Sequence, residues 1–335
     1  MKYCFQLLPH ANFHYREANR TLGLNELSMM LRAIGIESPL SIESIGASDF
    51  MTFDAPALNT SQLNYLAHHS SLLMLCTAEN GLLRPLEADR TPYLPADLSE
   101  VLKYKGKTSA PFTRMMINCA MSLATPSPDA VPLVLDPICG RGTTLFCALE
   151  QGYHAAGIEI DRIDLRETMN YFERYCAYHH LKRTLKQSAE TCGKASVPSA
   201  VYTLSSTKEA FQAGDTRTLR LFNGDTGLAD RLMRKTPADI IVGDLPYGIQ
   251  HAPQAGQKTE PFLHMMARVL PAWRKALRPG GAMALSYNVL TLPRAKLAEL
   301  VAASGFTVMT GGVYDQFEHF VEQAVHRDVL FAIRD

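Results

Sequence analysis

The chain of 335 residues has no long apolar run, no Cys-x-x-Cys pair and no excess of charge of either sign. A helix that crosses a membrane needs about 18 or more consecutive apolar residues. The longest apolar runs here, such as residues 72–76, have the length of a strand. The apolar stretch at residues 3–8 ends at Pro9 and His10, so it is too short and too polar for a secretory signal. We therefore expect a protein without membrane contact, located in the cytoplasm.

Cysteine and histidine usage argues against the common disulfide and metal frameworks. The seven cysteines are odd in number and scattered, so we expect reduced thiols that are mostly buried. The pairs His68-His69 and His179-His180 have no further ligand at helical or knuckle spacing. We therefore predict that the protein holds no metal.

Charge is balanced over the whole chain but not along it. Thirty-three Lys and Arg residues match thirty-three Asp and Glu residues, so no overall positive field attracts nucleic acid or anionic lipid. Residues 1–100 hold six basic and eleven acidic side chains, which leaves 27 basic and 22 acidic ones in residues 101–335. Contact with nucleic acid therefore requires a local basic patch.

The length favours two domains, and the pattern of elements changes near residue 100. Before that point, apolar periodicity and turn signals predict a strand at residues 2–8, a helix at 24–34, a strand pair that includes residues 50–53, a second helix from Thr60 through His68, and a strand at 72–76 that leads to the hairpin turn signal Asn80-Gly81. This βαββαβ order predicts a small α+β domain over residues 1–100. A stretch rich in Pro, Asp and Lys at residues 87–107 is typical of a linker.

Residues 101–335 form the second predicted domain, in which buried strands alternate with helices. The predicted helices span residues 111–123, 143–151, 164 into the 180s, 261–277 and 297–304. The predicted strands span residues 131–135, 155–160, 219–222, 239–242, 282–286, 307–310 and 325–333. Such alternation predicts a parallel sheet covered by helices on both faces, while residues 187–214 yield no firm assignment.

A glycine-rich turn follows the first strand of this domain and opens a helix, which is where an open α/β sheet binds its ligand. A dinucleotide fingerprint would need a third glycine, but Leu145 stands there. The turn also opens with a carboxylate, Asp136, which suits an ammonium group better than a pyrophosphate. S-adenosylmethionine carries an ammonium and a sulfonium and no phosphate, so we favour it over NAD as the cofactor. Its expected contacts in this turn are Asp136, Pro137, Gly140, Gly142, Thr143 and Thr144.

Acidic residues also end the next two strands. Glu159 lies seventeen residues after Gly142, where its carboxylate can accept hydrogen bonds from both ribose hydroxyls. Ile160, which adjoins it, is also expected to contact the cofactor, and Asp161 either shares the role of Glu159 or caps the following helix. Asp225 is placed to accept a hydrogen bond from the adenine amino group, although Asp after Gly is also ordinary turn chemistry.

The fourth strand ends in Asp244-Leu245-Pro246-Tyr247-Gly248, which suits methylation of a planar amino group. The lone pair of such an amine is delocalised into its ring, so the amine needs acceptors that orient its N–H bonds. Asp244 and the Leu245 carbonyl supply them, and Pro246 holds Leu245 in an extended conformation. Tyr247 is expected to stack on the base, with Gly248 beside it. We also expect the Leu245 N–H, which a proline there would lack, to face the target base.

Together with residues 277–281, these motifs resemble the class I S-adenosylmethionine-dependent methyltransferases. From residue 106 to Arg334 the chain is more closely similar to the tRNA guanine-N2 methyltransferases that modify tRNA position ten, and residues 321–329 resemble their last strand. The resemblance implies a Rossmann-like sheet with an antiparallel last strand, a ferredoxin-like N-terminal domain, S-adenosylmethionine as cofactor, and guanine N2 of tRNA or another structured RNA as acceptor. The first hundred residues leave no room for the THUMP module of that family, and their acidity is unsuited to tracking phosphates.

Three alternatives remain open. The same Asp-Leu-Pro-Tyr chemistry fits an adenine N6 or cytosine N4 amino group in DNA or RNA, and the glutamine amide of a protein is also planar. A third possibility is an RNA-binding or partner module that binds the cofactor without catalysis. The presence of both Asp244 and Tyr247 favours an enzyme.

Overall fold

The computed structural model describes residues 1–8, 13–46, 48–102, 104, 106–125, 130–246, 262–322 and 325–335, with the side chains of all but residues 13–17 and 322 of these. It contains two sheets. The first is formed by residues near the N-terminus and the second by the remainder of the chain. All seven cysteines are buried and unpaired. Over the described ranges, no helix has the length and apolar character needed to cross a membrane.

The first sheet has the predicted βαββαβ order with one strand added. Its elements are β1 (Lys2–Leu7), α1 (Phe13–Ala33), β2 (Ser41–Ile45), β3 (Ser48–Asp54), α2 (Thr60–Ala67), β4 (Leu72–Glu79) and β5 (Leu82–Pro85). The strands pair antiparallel in the order β2-β3-β1-β4-β5, which confirms the ferredoxin-like arrangement. β5 arises because Asn80 and Gly81 both adopt positive φ, the geometry of a tight hairpin turn.

Within the described ranges, the second sheet has ten strands and is flanked by helices. In chain order its region comprises α3 (Leu98–Val101), α4 (Ala110–Leu123), β6 (Leu133–Asp136), α5 (Thr143–Glu150), β7 (His154–Glu159), α6 (Arg162–Tyr178), β8 (Lys182–Cys192), β9 (Ala195–Ser205), α7 (Lys208–Gln212), β10 (Arg217–Asn223), α8 (Ala229–Leu232), β11 (Ala238–Asp244), α9 (Phe262–Ala276), β12 (Leu277–Asn288), α10 (Arg294–Ala303), β13 (Thr307–Val308), β14 (His319–Glu322) and β15 (Val325–Ile333).

The strand order confirms the predicted Rossmann-like class. The sheet runs β13-β15-β12-β11-β6-β7-β10-β9-β8, and the five strands from β12 to β10 are parallel. β15 pairs antiparallel with β12, as expected for the last strand. The chain reverses its direction of progress across the sheet between β6 and β11, which is the point where such sheets bind ligands. Apolar side chains on both faces form two separate cores, so the parallel strands are covered on both sides.

Two segments differ from the sequence-based expectation. Residues 187–214 contain most of a long hairpin, β8 and β9, which pair over eleven residues around the turn at Gly193 and Lys194. The predicted linker at residues 87–107 is not a loose connection, because Leu94 and Leu98 are at most 1% exposed and α3 lies within it. Both side chains belong to the core of the second sheet.

The first sheet and the second are joined by buried polar contacts as well as by apolar packing. The fully buried carboxylate of Glu26 accepts a hydrogen bond from Asn118 Nδ2 at 2.7 Å and from the Ser70 backbone N–H at 2.8 Å. Asn25 Nδ2 donates to the Gln316 carbonyl at 2.6 Å. Helix α1 therefore packs on α4 through specific contacts. The division into domains at residue 100 remains a prediction.

Candidate active site

Four predicted site residues lie at one edge of the second sheet because each ends, or directly follows, a parallel strand. Asp136 is the last residue of β6, Glu159 of β7 and Asp244 of β11, while Asp225 comes two residues after β10. The register places Glu159 beside Asn223 and Asp136 beside Gly157. The carboxyl edge thus collects these carboxylates around the point where the strand order reverses.

The turn after β6 is fixed by two glycines in the left-handed region. Gly140 has a φ of 48° and Gly142 a φ of 85°. A Cβ atom on Gly142 would lie 3.0 Å from Thr168 Cγ2, so both backbone conformation and space favour glycine there. The Gly140 N–H donates to Glu159 Oε2 at 2.8 Å, which ties the turn to the end of β7. The result is a tightly held turn in which Gly140 is half-buried and Gly142 and the first residues of α5 are buried.

Asp136 is a buried carboxyl group, and none of the interactions that shift its pKa comes from a cation. Its side chain is 4% exposed, and Oδ1 accepts the Ile138 N–H at 3.1 Å. The pKa of Asp136 is raised to about 7, mainly by burial; hydrogen bonds from Thr144 and Ile138 oppose the shift, and the carboxylates of Asp244 and Glu159 add to it. A ligand that brings a positive charge to this position would relieve both the burial and the repulsion.

Glu159 combines a structural role with its predicted ribose contact. Oε2 holds the Gly140 N–H, and Oε1 accepts the Asp161 N–H at 2.8 Å. Burial raises the pKa of Glu159. Asp161 caps α6, accepting the N–H of Ile163 at 2.7 Å, so the structure shows the capping alternative for this residue. Ile160 is 59% exposed and lies at the rim.

Asp225 likewise shows the turn chemistry that the sequence left open. Its Oδ1 accepts the Gly227 N–H at 2.6 Å and caps the short 3₁₀ turn at residues 226–228. The same oxygen pairs with Arg268 Nη1 of α9 at 3.0 Å. Both side chains are partly exposed, 42% for Asp225 and 44% for Arg268. An adenine contact by Asp225 therefore stays a prediction.

Asp244 is held by two residues that are distant in sequence. Thr108 donates its hydroxyl to Asp244 Oδ2 in a short hydrogen bond. Arg327 Nη2 lies 3.7 Å from the same oxygen, and the Arg327 guanidinium stacks over the Phe112 ring at 4.9 Å. The Asp244 side chain keeps 22% of its surface exposed, so the carboxylate is held in position and still reaches the surface of the edge.

The expectation for the Leu245 N–H is wrong. This N–H donates to the Ser286 carbonyl at 2.8 Å, because β11 continues its parallel pairing with β12 one residue beyond Asp244. The Leu245 side chain is only 1% exposed. The carbonyl of Leu245 remains the predicted acceptor. Tyr247 and Gly248 lie outside the described residues.

Pro246 borders a small cavity beside the Asp244 turn. The cavity has a volume of about 90 Å³. Its wall also contains Phe262, Tyr287, Asn288 and Thr291. Tyr287 is fixed there by a hydrogen bond to Asp328 Oδ2 at 2.6 Å. The turn therefore faces a surface that is apolar with a few polar groups.

Sequence reasoning missed three residues at this edge. Thr108 lies in the stretch from residue 106 that carries the family resemblance, and Arg327 lies in the predicted last strand, but neither was predicted to be a site residue. Arg327 stands out as a charged residue in a mostly apolar strand, and that interruption was the available signal. Tyr104 also reaches the site, since its hydroxyl lies 3.0 Å from Thr143 Oγ1 at the start of α5. Arg141 stacks over the Tyr104 ring at 5.2 Å.

No protein-family model matches the chain, and no curated protein sequence does. Several solved structures are similar to parts of the chain at low identity. TrmN from Thermus thermophilus is 17% identical, with 91% of this chain and 64% of that chain covered, at a TM-score of 0.39. The rRNA methyltransferase aviRa from Streptomyces viridochromogenes is 14% identical, with 71% and 92% covered, at 0.42. A TehB-like SAM-dependent methyltransferase from Corynebacterium glutamicum is 14% identical, with 66% and 85% covered, at 0.36.

Proposed function

We propose that the protein is an S-adenosylmethionine-dependent methyltransferase whose acceptor is the exocyclic amino group of a nucleobase. The observation that carries the proposal is the placement of two different carboxylates on neighbouring strands. Asp136 on β6 is buried and suited to a cation, while Asp244 on β11 is held by Thr108 and is partly exposed. Side by side, they suit a cationic methyl donor next to an amine acceptor.

The cofactor site consists of the β6 turn and the ends of β7 and β10. Asp136 would accept the ammonium group, and the backbone of Gly140 and Gly142 would lie against the ligand with Pro137, Thr143 and Thr144 around it. Glu159 and Asp225 would contact the ribose and the adenine. When bound, S-adenosylmethionine supplies an electrophilic methyl group. The chain itself supplies position and charge.

Asp244 would orient the acceptor amine. Oδ1 of Asp244 and the Leu245 carbonyl would accept the two N–H bonds, which would orient the nitrogen lone pair toward the cofactor site. Thr108 and Arg327 fix the other oxygen of Asp244, so the carboxylate cannot rotate away. A methylated amine would carry a positive charge until it lost a proton. Asp244 stabilises that charge and, being partly exposed, can pass the released proton to solvent.

The favoured acceptor is guanine N2 in structured RNA, with tRNA first. This choice follows from the resemblance of residues 106–334 to the guanine-N2 family and from the net basic character of residues 101–335. A base in a helix must first leave the stack, at a cost of a few kcal/mol. Stacking on Tyr247 would offset about 1–3 kcal/mol of that cost. Adenine or cytosine amino groups are the second candidate, because the acceptors of Asp244 and Leu245 fit any planar amine.

The test is methyl transfer from labelled cofactor to separate pools of unmodified tRNA, rRNA, DNA and protein. Label in N2-methylguanosine of an RNA pool is the expected result. Label in a methylated adenine or cytosine would favour the second candidate, and label in protein would indicate a glutamine acceptor. Asp244→Ala should remove turnover while leaving cofactor affinity within a fewfold of the original. Retained turnover in that variant would refute the assignment of Asp244.

A further inference from the structure

The hairpin β8–β9 ends the second sheet with a long exposed edge. Nine of the eleven residues of β8 are exposed, including Leu185 at 41%. In the described part of the chain, β9 is the single strand paired with β8, and their register runs from Lys182 to Cys192 without a bulge. Such an edge presents unpaired N–H and C=O groups at alternate residues, and soluble proteins usually block it. β8 contains no proline and no bulge that would do so.

The edge is held rigidly in place. Near its start, Arg183 Nε donates to Glu173 Oε2 of α6 at 2.9 Å. At its far end, Arg231 Nη1 donates to the Cys192 carbonyl at 3.0 Å. Between these anchors, every residue of β8 is in register with β9. A partner strand would therefore meet a preformed template and would order little of this chain.

We propose that β8 pairs antiparallel with β8 of a second copy of this chain, so that two ten-stranded sheets join into one across a two-fold axis. At alternate residues of β8, the backbone N–H and C=O groups point away from β9. A symmetric pair must place such residues of one copy opposite such residues of the other, so the two-fold axis has to pass beside a residue and not between two residues. Only a few registers satisfy this condition over most of β8.

The charges of β8 select one of these registers. With the axis at Ser188, Lys186 of each copy lies opposite Glu190 of the other, and no like charges face each other within β8. With the axis at Lys186, Lys182 would face Glu190, but two lysines would meet directly at the axis. With the axis at Gln187, Lys186 would face Ser188 and no opposite charges would pair. Opposite charges across an antiparallel pair stabilise it and like charges destabilise it. Lys186, which would disfavour pairing with strands that lack an acidic residue at the opposite position, therefore favours pairing with a second copy of β8.

Residues around the edge of β8 also support a second copy of this chain as the partner. Leu185 would face Thr191 of the second copy on the side of the sheet that α6 covers. Tyr178, at the end of α6 four residues before β8, is 80% exposed. Pairing through Ser188 would add apolar contact beside the hydrogen bonds of nine overlapping residues.

The first test measures the mass of the full chain in solution over a range of concentrations, by sedimentation or light scattering. A dimer is expected. Lys186→Glu and Glu190→Lys should each raise the dimer dissociation constant by about tenfold or more, since each places two like-charge pairs in the interface. The double variant carrying both changes should recover the original affinity. A monomer at every concentration, or a dimer unaffected by either single change, would overturn the proposal.

The second test reads the register directly. Ser188→Cys places two cysteines opposite each other across the axis, where Cα atoms lie about 4.5–5.5 Å apart, within the range for a disulfide. Mild oxidation should cross-link this variant and not the control Lys208→Cys, whose residue is exposed on α7. Because all native cysteines are buried, the new thiol is the reactive one. Equal cross-linking of both variants, or none in Ser188→Cys, would overturn the assigned register.

Discussion

Asp136 should oppose folding in the ligand-free protein above neutral pH, and the size of the effect follows from its environment. Its ordinary pKa of 3.8 rises to about 7 in the folded state. One pKa unit corresponds to about 1.4 kcal/mol, so the shift amounts to about 4 kcal/mol. The sign follows from linkage. Below pH 4 the carboxyl is neutral in both states, and between pH 4 and 7 only the unfolded chain ionises, so stability falls over that window.

The perturbation is Asp136→Asn, which keeps the shape of the side chain and removes its charge. We expect the variant to gain stability relative to the original protein, by up to about 4 kcal/mol at pH 8 and by about 1–2 kcal/mol at pH 5. Urea unfolding at both pH values measures this difference. An equal change at the two pH values would refute the idea that Asp136 ionises against its surroundings.

The affinity for the cofactor should rise with pH, whereas the stability of the ligand-free protein falls. Only the ionised carboxylate attracts the ammonium group, so affinity for S-adenosylmethionine should rise by tens of fold between pH 5 and 7, with proton release on binding. Calorimetry in buffers of different ionisation enthalpy measures both quantities. Asp136→Asn should lose the pH dependence together with most of the affinity. Unchanged affinity across that range would exclude Asp136 as the cation site.

Three further changes test the rest of the site. Glu159→Ala should weaken cofactor binding by about 1–3 kcal/mol in calorimetry, since it removes hydrogen bonds to a charged group, and an unchanged affinity would exclude Glu159. Arg327→Lys should lower kcat more than it raises KM for the acceptor, because it loosens Asp244 without touching the cofactor, whereas an equal effect on cofactor affinity would indicate general unfolding. Tyr247→Phe should keep activity and Tyr247→Ala should lose it, since the ring face stacks on the base, and full activity of the alanine variant would exclude that contact.

The sequence was sufficient for the order of the elements and for the residues that end the parallel strands. Apolar strands and glycine turns are local signals, so Asp136, Glu159 and Asp244 could be placed at one edge before any coordinates were known. The β8–β9 hairpin escaped because nearly all of β8 is exposed, which removes the alternation that reveals a strand.

Contacts across the sheet were harder to predict. The Leu245 N–H was expected at the target base, but the register of β11 on β12 gives it to Ser286. Thr108 lies 136 residues from Asp244 in the chain, and no local pattern links them. Asp161 and Asp225 each had two interpretations, and only geometry showed that their carboxylates cap the turns that follow.

The helix α4 connects the buried junction of the two sheets with the open edge of the second. Asn118, near its C-terminal end, holds Glu26 of α1, and Thr108, just before its N-terminus, holds Asp244. Its fourteen residues span about 21 Å, and a helix of that length is stiff. A ligand that tilts the first sheet would therefore also move Thr108, because the stiff helix transmits the movement along its length. We expect the first hundred residues to influence the orientation of Asp244. A chain that lacks residues 1–100 would therefore lose the correct orientation of the Asp244 carboxylate even if the second sheet still folded.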